Sequence, residues 1–223
     1  MAKDSAAEIK ENLAGIEAGI AESCTRVGRN ASEVKVLAAT KSQSVEKIQA
    51  AIDAGIKICG ENYLQEAEKK INEIGPVVQW HFIGHLQSNK AKKAVELFDC
   101  IQSVDTAKLA RKIDNACQKP FSVFIGVNIG REENKFGVLP ENLQAFYSEI
   151  KELPNLDIKG LFCMAPFLPP EKTRPYFKEM RQLAEKLSLK ELSMGTSNDY
   201  SAAVEEGSTM VRNGTALFGK REK

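Results

Sequence analysis

The sequence predicts an α/β protein, a (β/α)8 TIM barrel with an additional N-terminal helix, and three observations predict it. Eight short apolar or β-branched runs recur along the 223 residues. Helix-patterned stretches lie between them. The first run ends in TKSQS, without the glycine-rich turn expected of an open dinucleotide-binding sheet. Near-continuous apolar strands, each followed by a helix, require a parallel sheet covered by helices, because hairpin turns cannot join parallel strands. About eight such units close into a barrel.

The elements follow in order. Ile9, Leu13, Ile16 and Ile20 recur at three- and four-residue steps and give the first segment one apolar stripe as a helix. The candidate strands are VKVLAAT, IKICG, VVQWHFIG, CIQSV, FSVFIGVN, IKGLFCMA, ELSMG and TMVRNGT. The clearest helical patterns carry Leu64, Ala67, Ile71 and Ile74; Leu109, Ile113 and Ala116; Leu143, Phe146 and Ile150; and Phe177, Met180, Leu183 and Leu187. The proline-rich APFLPPEKTRP reads as one loop after the sixth strand. ALFGKREK leaves no room for a full last helix, so the N-terminal helix is expected to cover that gap. No domain boundary interrupts the pattern, and residues 1–223 read as one domain.

Composition narrows the function. Lys and Arg total 31 against 30 Asp and Glu, so no overall field favours nucleic acid or an anionic membrane. The five cysteines are widely spaced and never form C-x-x-C, against a disulfide framework or a zinc site. MAKDSAAEIKENLAG is charged rather than an apolar signal, and no window reaches membrane-spanning length. A cytoplasmic protein is expected.

In a barrel, function gathers at the carboxyl ends of the strands. Lys41, Asn62, Ser103, Asp105, Asn128, Met194 to Ser197 and Arg212 to Thr215 all fall there. Lys41 closes an apolar strand, where desolvation favours a neutral amine and Schiff-base formation with an aldehyde. Position alone fits equally a strand-end lysine whose ammonium reaches solvent, which is the commoner case. MGTSNDYSAAVEEG and TMVRNGTALFG supply small residues in the two loops where barrels often hold phosphate; Thr196, Ser197 or Asn198 capping a helix, with a tight turn at Gly214, explains them as well. His81 and His85 straddle a strand-to-loop transition and read as single buried or rim histidines rather than a metal pair. Lys135 sits in a charged loop, and GHLQSNKAKK offers an N-capped basic helix; both are weaker signals.

Taken in order, LAATK, CGENYLQEA, WHFIGHLQSNKAKK, IQSVD, NIGREENKFGV, GLFCMAP and LSMGTSNDYSAAVEEGSTMVRNGTALFG resemble the pyridoxal 5′-phosphate (PLP) homeostasis proteins across nearly the whole chain. That family shares its fold-type III PLP-binding barrel with the N-terminal domain of alanine racemase. The resemblance implies that Lys41 forms a Schiff base with PLP and that Ser197, Gly214 and Thr215 bind its phosphate. It also implies that Asn62 approaches the ring hydroxyl, Met194 lines the pocket and Arg212 faces the pyridine nitrogen. A guanidinium only donates, so it bonds that nitrogen without stabilising its protonated form, and the ring is a weakened electron sink. The chain departs from the family at Thr196, where methionine is common, and at Asn213, where a branched apolar residue is common. A buried amide at Asn213 would need a hydrogen-bond partner.

The resemblance implies a PLP-binding protein of vitamin B6 homeostasis with little or no catalysis, handing PLP to PLP-dependent apoenzymes. A monomer is expected, because the dimerising racemase domain has no counterpart in the sequence. Two other readings stay open: a PLP-dependent amino-acid racemase, and a phosphosugar aldolase using Lys41.

Overall fold

Alternate residues of a strand face opposite sides, and here the two sides become the inside of a barrel and the layer beneath its helices. The computed structural model describes residues 2–219, with side chains from residue 5 onward. In chain order the elements are α1 (Ala2–Arg26), β1 (Lys35–Ala39), α2 (Val45–Ala54), β2 (Ile58–Glu61), α3 (Leu64–Ile74), β3 (Gln79–Phe82), α4 (Ala91–Leu97), β4 (Cys100–Val104) and α5 (Ala107–Asp114). They continue with β5 (Phe121–Val127), α6 (Leu143–Ile150), β6 (Leu156–Cys163), α7 (Pro170–Lys186), β7 (Glu191–Thr196), α8 (Tyr200–Glu205), β8 (Met210–Asn213) and α9 (Thr215–Phe218). The eight strands pair in sequence order, all parallel, and β8 closes on β1 through Leu37 opposite Arg212 and Ala38 opposite Asn213. The expected barrel is therefore the observed one.

The larger core lies between strands and helices, where Ala38, Ile101, Val123, Leu161 and Val211 meet Ile48, Leu109, Phe177 and Met180. Small apolar clusters fill the barrel itself: Leu37, Ile58 and Met210, and Cys100, Phe124 and Phe162, with Ile83 against both. All five cysteines are free.

The four stripe residues of α1 are buried, and α1 packs on α2, α8 and α9. It occupies the place a full-length eighth helix would take, since α9 after β8 has only four residues. Gly19 permits the fit: a Cβ there would run into the Tyr200 hydroxyl. Asn12 Nδ2 also donates to the Leu217 carbonyl at 3.0 Å.

One expectation is corrected. The APFLPPEKTRP stretch is not a loop throughout, because α7 begins inside it at Pro170. Proline at the first helical position sacrifices no helical hydrogen bond, and its fixed φ suits the first turn. Among the described residues, no helix is long and apolar enough to cross a membrane.

Candidate functional site

The carboxyl ends of the strands bring most of the expected residues to one mouth. Lys41 lies two residues past β1, half-buried, with Nζ 5.8 Å from the centre of the Tyr63 ring. Its surroundings are thus less apolar than the sequence suggests. Among the described residues its ammonium has no hydrogen-bond or ion-pair partner. Neighbouring β8 runs into Gly214 and Thr215, and the β7 loop reaches over to them: Ser197 Oγ accepts the Ala216 N–H at 3.0 Å. None of Thr196, Ser197 and Asn198 caps α8. Asp199 precedes that helix, and its Oδ1 accepts from the Thr196 N–H at 2.7 Å and Thr196 Oγ1 at 2.9 Å. The N–H groups of Ser197, Gly214 and Thr215 find no acceptor among the described residues.

Arg212 is buried in the barrel at the same end. Its Nη1 donates to Ser193 Oγ at 2.8 Å, its Nη2 to the Cys163 carbonyl at 2.6 Å, and the guanidinium lies 4.4 Å from the centre of the Phe162 ring. Nη2 also approaches Met164 Sδ at 3.1 Å. Burial lowers its pKa to about 10, which leaves it charged at neutral pH. Of five N–H donors, two stay unspent among the described residues.

Met194 is the exception. Its neighbour Ser193 points inward to Arg212, so strand alternation turns Met194 outward, into the layer beneath the helices. Its side chain is fully buried.

Asn62 follows β2 and borders a cavity of about 300 Å³ shared with Ser103, Asp105, Asn128, Lys135 and Phe162. Gly84 must be glycine for β3 to pass there, because a Cβ would collide with the Asn62 carbonyl. His85 stacks on Phe136 with ring centres 3.5 Å apart and lies 3.7 Å from Asp105 Oδ2. Burial pushes the Asp105 carboxyl up, opposed by His85. Lys135 pairs with Glu132 at 2.6 Å. His81, by contrast, lies inside the barrel. A larger concavity of about 1310 Å³ opens at the opposite end, around Lys35, Lys57 and Gln79. It holds none of these groups and lies at the end where barrels do not place chemistry.

Two polar constellations escape sequence reasoning. A hydrogen-bonded column crosses the barrel: Arg212 donates to Ser193, Ser193 Oγ to Gln102 Oε1 at 2.7 Å, and Gln102 Nε2 contacts His81 Nδ1 at 2.7 Å. Since Gln102 Nε2 only donates, His81 Nδ1 accepts. The second is an ion cluster of Glu61, Glu66 and Lys70 under the Lys41 turn. CGENYLQEA carries its two carboxylates, and Lys70 stands one helical turn beyond Glu66.

Comparisons with known proteins identify the relatives of this chain. Residues 16–222 match the family model of the alanine racemase N-terminal domain. The pyridoxal phosphate homeostasis protein of Aquifex aeolicus is 40% identical over 95% of this chain and 98% of its own length. This chain belongs to the pyridoxal phosphate homeostasis protein family. Among solved structures, PipY of Synechococcus elongatus with PLP bound superposes with a TM-score of 0.82 at 35% identity, covering 95% of this chain and all of PipY. The barrel also matches alanine racemase from Corynebacterium glutamicum, with a TM-score of 0.73 at 16% identity, covering 98% of this chain and 62% of the racemase. At that identity the likeness is one of fold.

Proposed function

We propose that this protein binds PLP at the barrel mouth, holds it as a Schiff base on Lys41, and serves vitamin B6 homeostasis with little or no catalysis. The observation that carries the reading is a lysine ammonium without a hydrogen-bond or ion-pair partner, beside backbone N–H groups without acceptors, among the described residues of one barrel mouth. PLP supplies an aldehyde that condenses with a primary amine: the nitrogen bonds to the aldehyde carbon and the oxygen leaves as water.

The residues fit such a ligand. Lys41 supplies the amine. The N–H groups of Ser197, Gly214 and Thr215 are arranged to donate to a phosphate, with Ser197 Oγ fixing the two loops against each other. The unspent N–H donors of Arg212 suit a pyridine nitrogen, and the guanidinium's charge disfavours protonation there. Asn62 offers its amide to the ring hydroxyl. We leave Met194 out of the contacts, because its side chain faces the helices.

Little or no catalysis is supported from two sides. The Arg212 environment opposes the electron sink that α-proton removal needs. A relative matched over 98% of its own length is named a homeostasis protein. We further propose a cytoplasmic monomer that passes PLP to apoenzymes, a transfer open to any amine able to displace Lys41.

An absorbance spectrum of the protein incubated with PLP tests the assignment. Wild type should be yellow, and Lys41→Ala should lose that band. Failure of the wild type to take up PLP would overturn the reading; rapid exchange of an amino acid's α-hydrogen in D2O would replace it with a racemase.

A further inference from the structure

The turn bearing Lys41 rests on the ion cluster, which the proposed function has not used. Lys70 of α3 is 6% exposed. Its Nζ donates to the Thr40 carbonyl at 2.7 Å, to Glu61 Oε1 at 2.7 Å and to Glu66 Oε1 at 2.6 Å. That is every donor an ammonium has. The same carboxylates hold the turn from the other side. Thr40 Oγ1 donates to Glu61 Oε1 at 2.6 Å, and the Ser42 N–H donates to Glu66 Oε1 at 2.6 Å.

Both chain neighbours of Lys41 are therefore bonded to the cluster, while Lys41 is not. Ser42 has φ 63°, a left-handed conformation that residues with a side chain seldom adopt without support. Its N–H bond to Glu66 supplies that support. A buried ion cluster generally stabilises a fold no better than apolar side chains of the same size, so its place under this turn asks for a reason other than packing.

We infer that Lys70, with Glu61 and Glu66, is a positioning cluster for Lys41: it fixes the turn from both sides and neutralises the carboxylates beneath the amine. The inference rests on Lys41 being the reactive lysine. Charged or titratable groups placed against the turn are Glu61 from β2, Tyr63 from the β2–α3 connection, and Glu66, Lys69 and Lys70 from α3, Lys69 lining the same concavity as Ser42. The Glu66 carboxyl, although burial works against its charge, is held below the usual carboxylate range by Lys70, the Ser42 N–H and Lys41. With Lys70 removed, the Glu66 carboxylate would face the Lys41 ammonium without a competing cation and favour its charged, unreactive form, while burial pushes the Glu61 carboxyl up toward its neutral form.

The test needs no cofactor. Full-length, cofactor-free protein is labelled with trinitrobenzenesulfonate across a pH series, and modification of Lys41 is followed by mass spectrometry with exposed Lys119 as internal reference. Lys70→Met should move the Lys41 profile to higher pH by roughly one unit and slow labelling at neutral pH by about ten-fold. Glu66→Gln should move it to lower pH, and the double variant should return it toward wild type. A purely structural cluster would change the melting temperature without these opposed movements. An unmoved Lys41 profile in a folded Lys70→Met protein sinks the inference. Should Lys70→Met not fold, Glu66→Gln decides alone, since its side chain is 28% exposed, and an unmoved profile there is equally fatal. Because the readout uses no PLP, failure to bind PLP with the opposed movements intact would defeat the proposed function and leave the positioning cluster standing.

Discussion

Asn213 shares the outward face of β8 with Val211, is fully buried, and neither its Nδ2 nor its Oδ1 has a hydrogen-bond partner among the described residues. The sequence marks this residue as a departure from the family and asks for a partner; the fold supplies none. Burying an unpaired amide costs about 1–3 kcal/mol. Asn213→Val should accordingly raise the unfolding free energy from urea titration by that order, with a higher midpoint, and a lower midpoint would show that the amide has a role the fold conceals. The placement of residues at the mouth was legible where it depended on position along a strand, as for Lys41 and Arg212. It was not legible where it depended on distant partners: Gln102 meets Ser193 across 91 positions, and no local pattern announces such a pair. Met194 shows the opposite failure, since a motif places it at the mouth while strand alternation turns it away.

At the scale of elements, the strands were readable because a parallel barrel buries both strand faces and leaves nearly unbroken apolar runs. The start of α7 was not, because prolines that usually end helices here begin one. The N-terminal helix was readable as a stripe, and its role followed from the missing last helix. Its seat is reinforced by charges: Arg26 of α1 and Arg174 of α7 both pair with Glu205 of α8, at 2.6 and 2.8 Å. Such half-exposed pairs contribute little individually, so the apolar stripe dominates. Deleting residues 1–28 should expose Ile48 and the outer face of β8 and abolish cooperative thermal unfolding, as followed by circular dichroism. A truncated protein that still melts sharply would refute this account of α1.

At the scale of the whole molecule, closure of β8 on β1 makes the barrel one structure, and we propose that residues 1–223 fold as one domain. The column through its centre gives that unit a pH dependence. Burial, with a smaller contribution from Lys35, lowers the His81 pKa from 6.5 to about 4. The depressed value means that the unfolded chain takes up the proton first. His81 thus contributes stability that is complete above about pH 6.5 and is lost as pH falls toward 4. Between pH 7 and pH 5 the loss should be about 2 kcal/mol. Urea unfolding at both values should show it in wild type, and His81→Gln should flatten the difference; an unchanged slope would remove His81 as the cause.

The direction of that column has a further consequence. Each donor points the same way, from Arg212 at the mouth toward His81, so the row behaves like a line of dominoes that stands only while the last one can be leaned upon. A proton on His81 Nδ1 turns the final acceptor into a donor facing the amide of Gln102. Gln102 must then rotate and Ser193 loses the oxygen it leans on, so the Ser193 contact of the arginine at the far opening loosens while its bond to the Cys163 carbonyl stays. Acid arriving at the foot of the barrel would in this way be felt at its mouth.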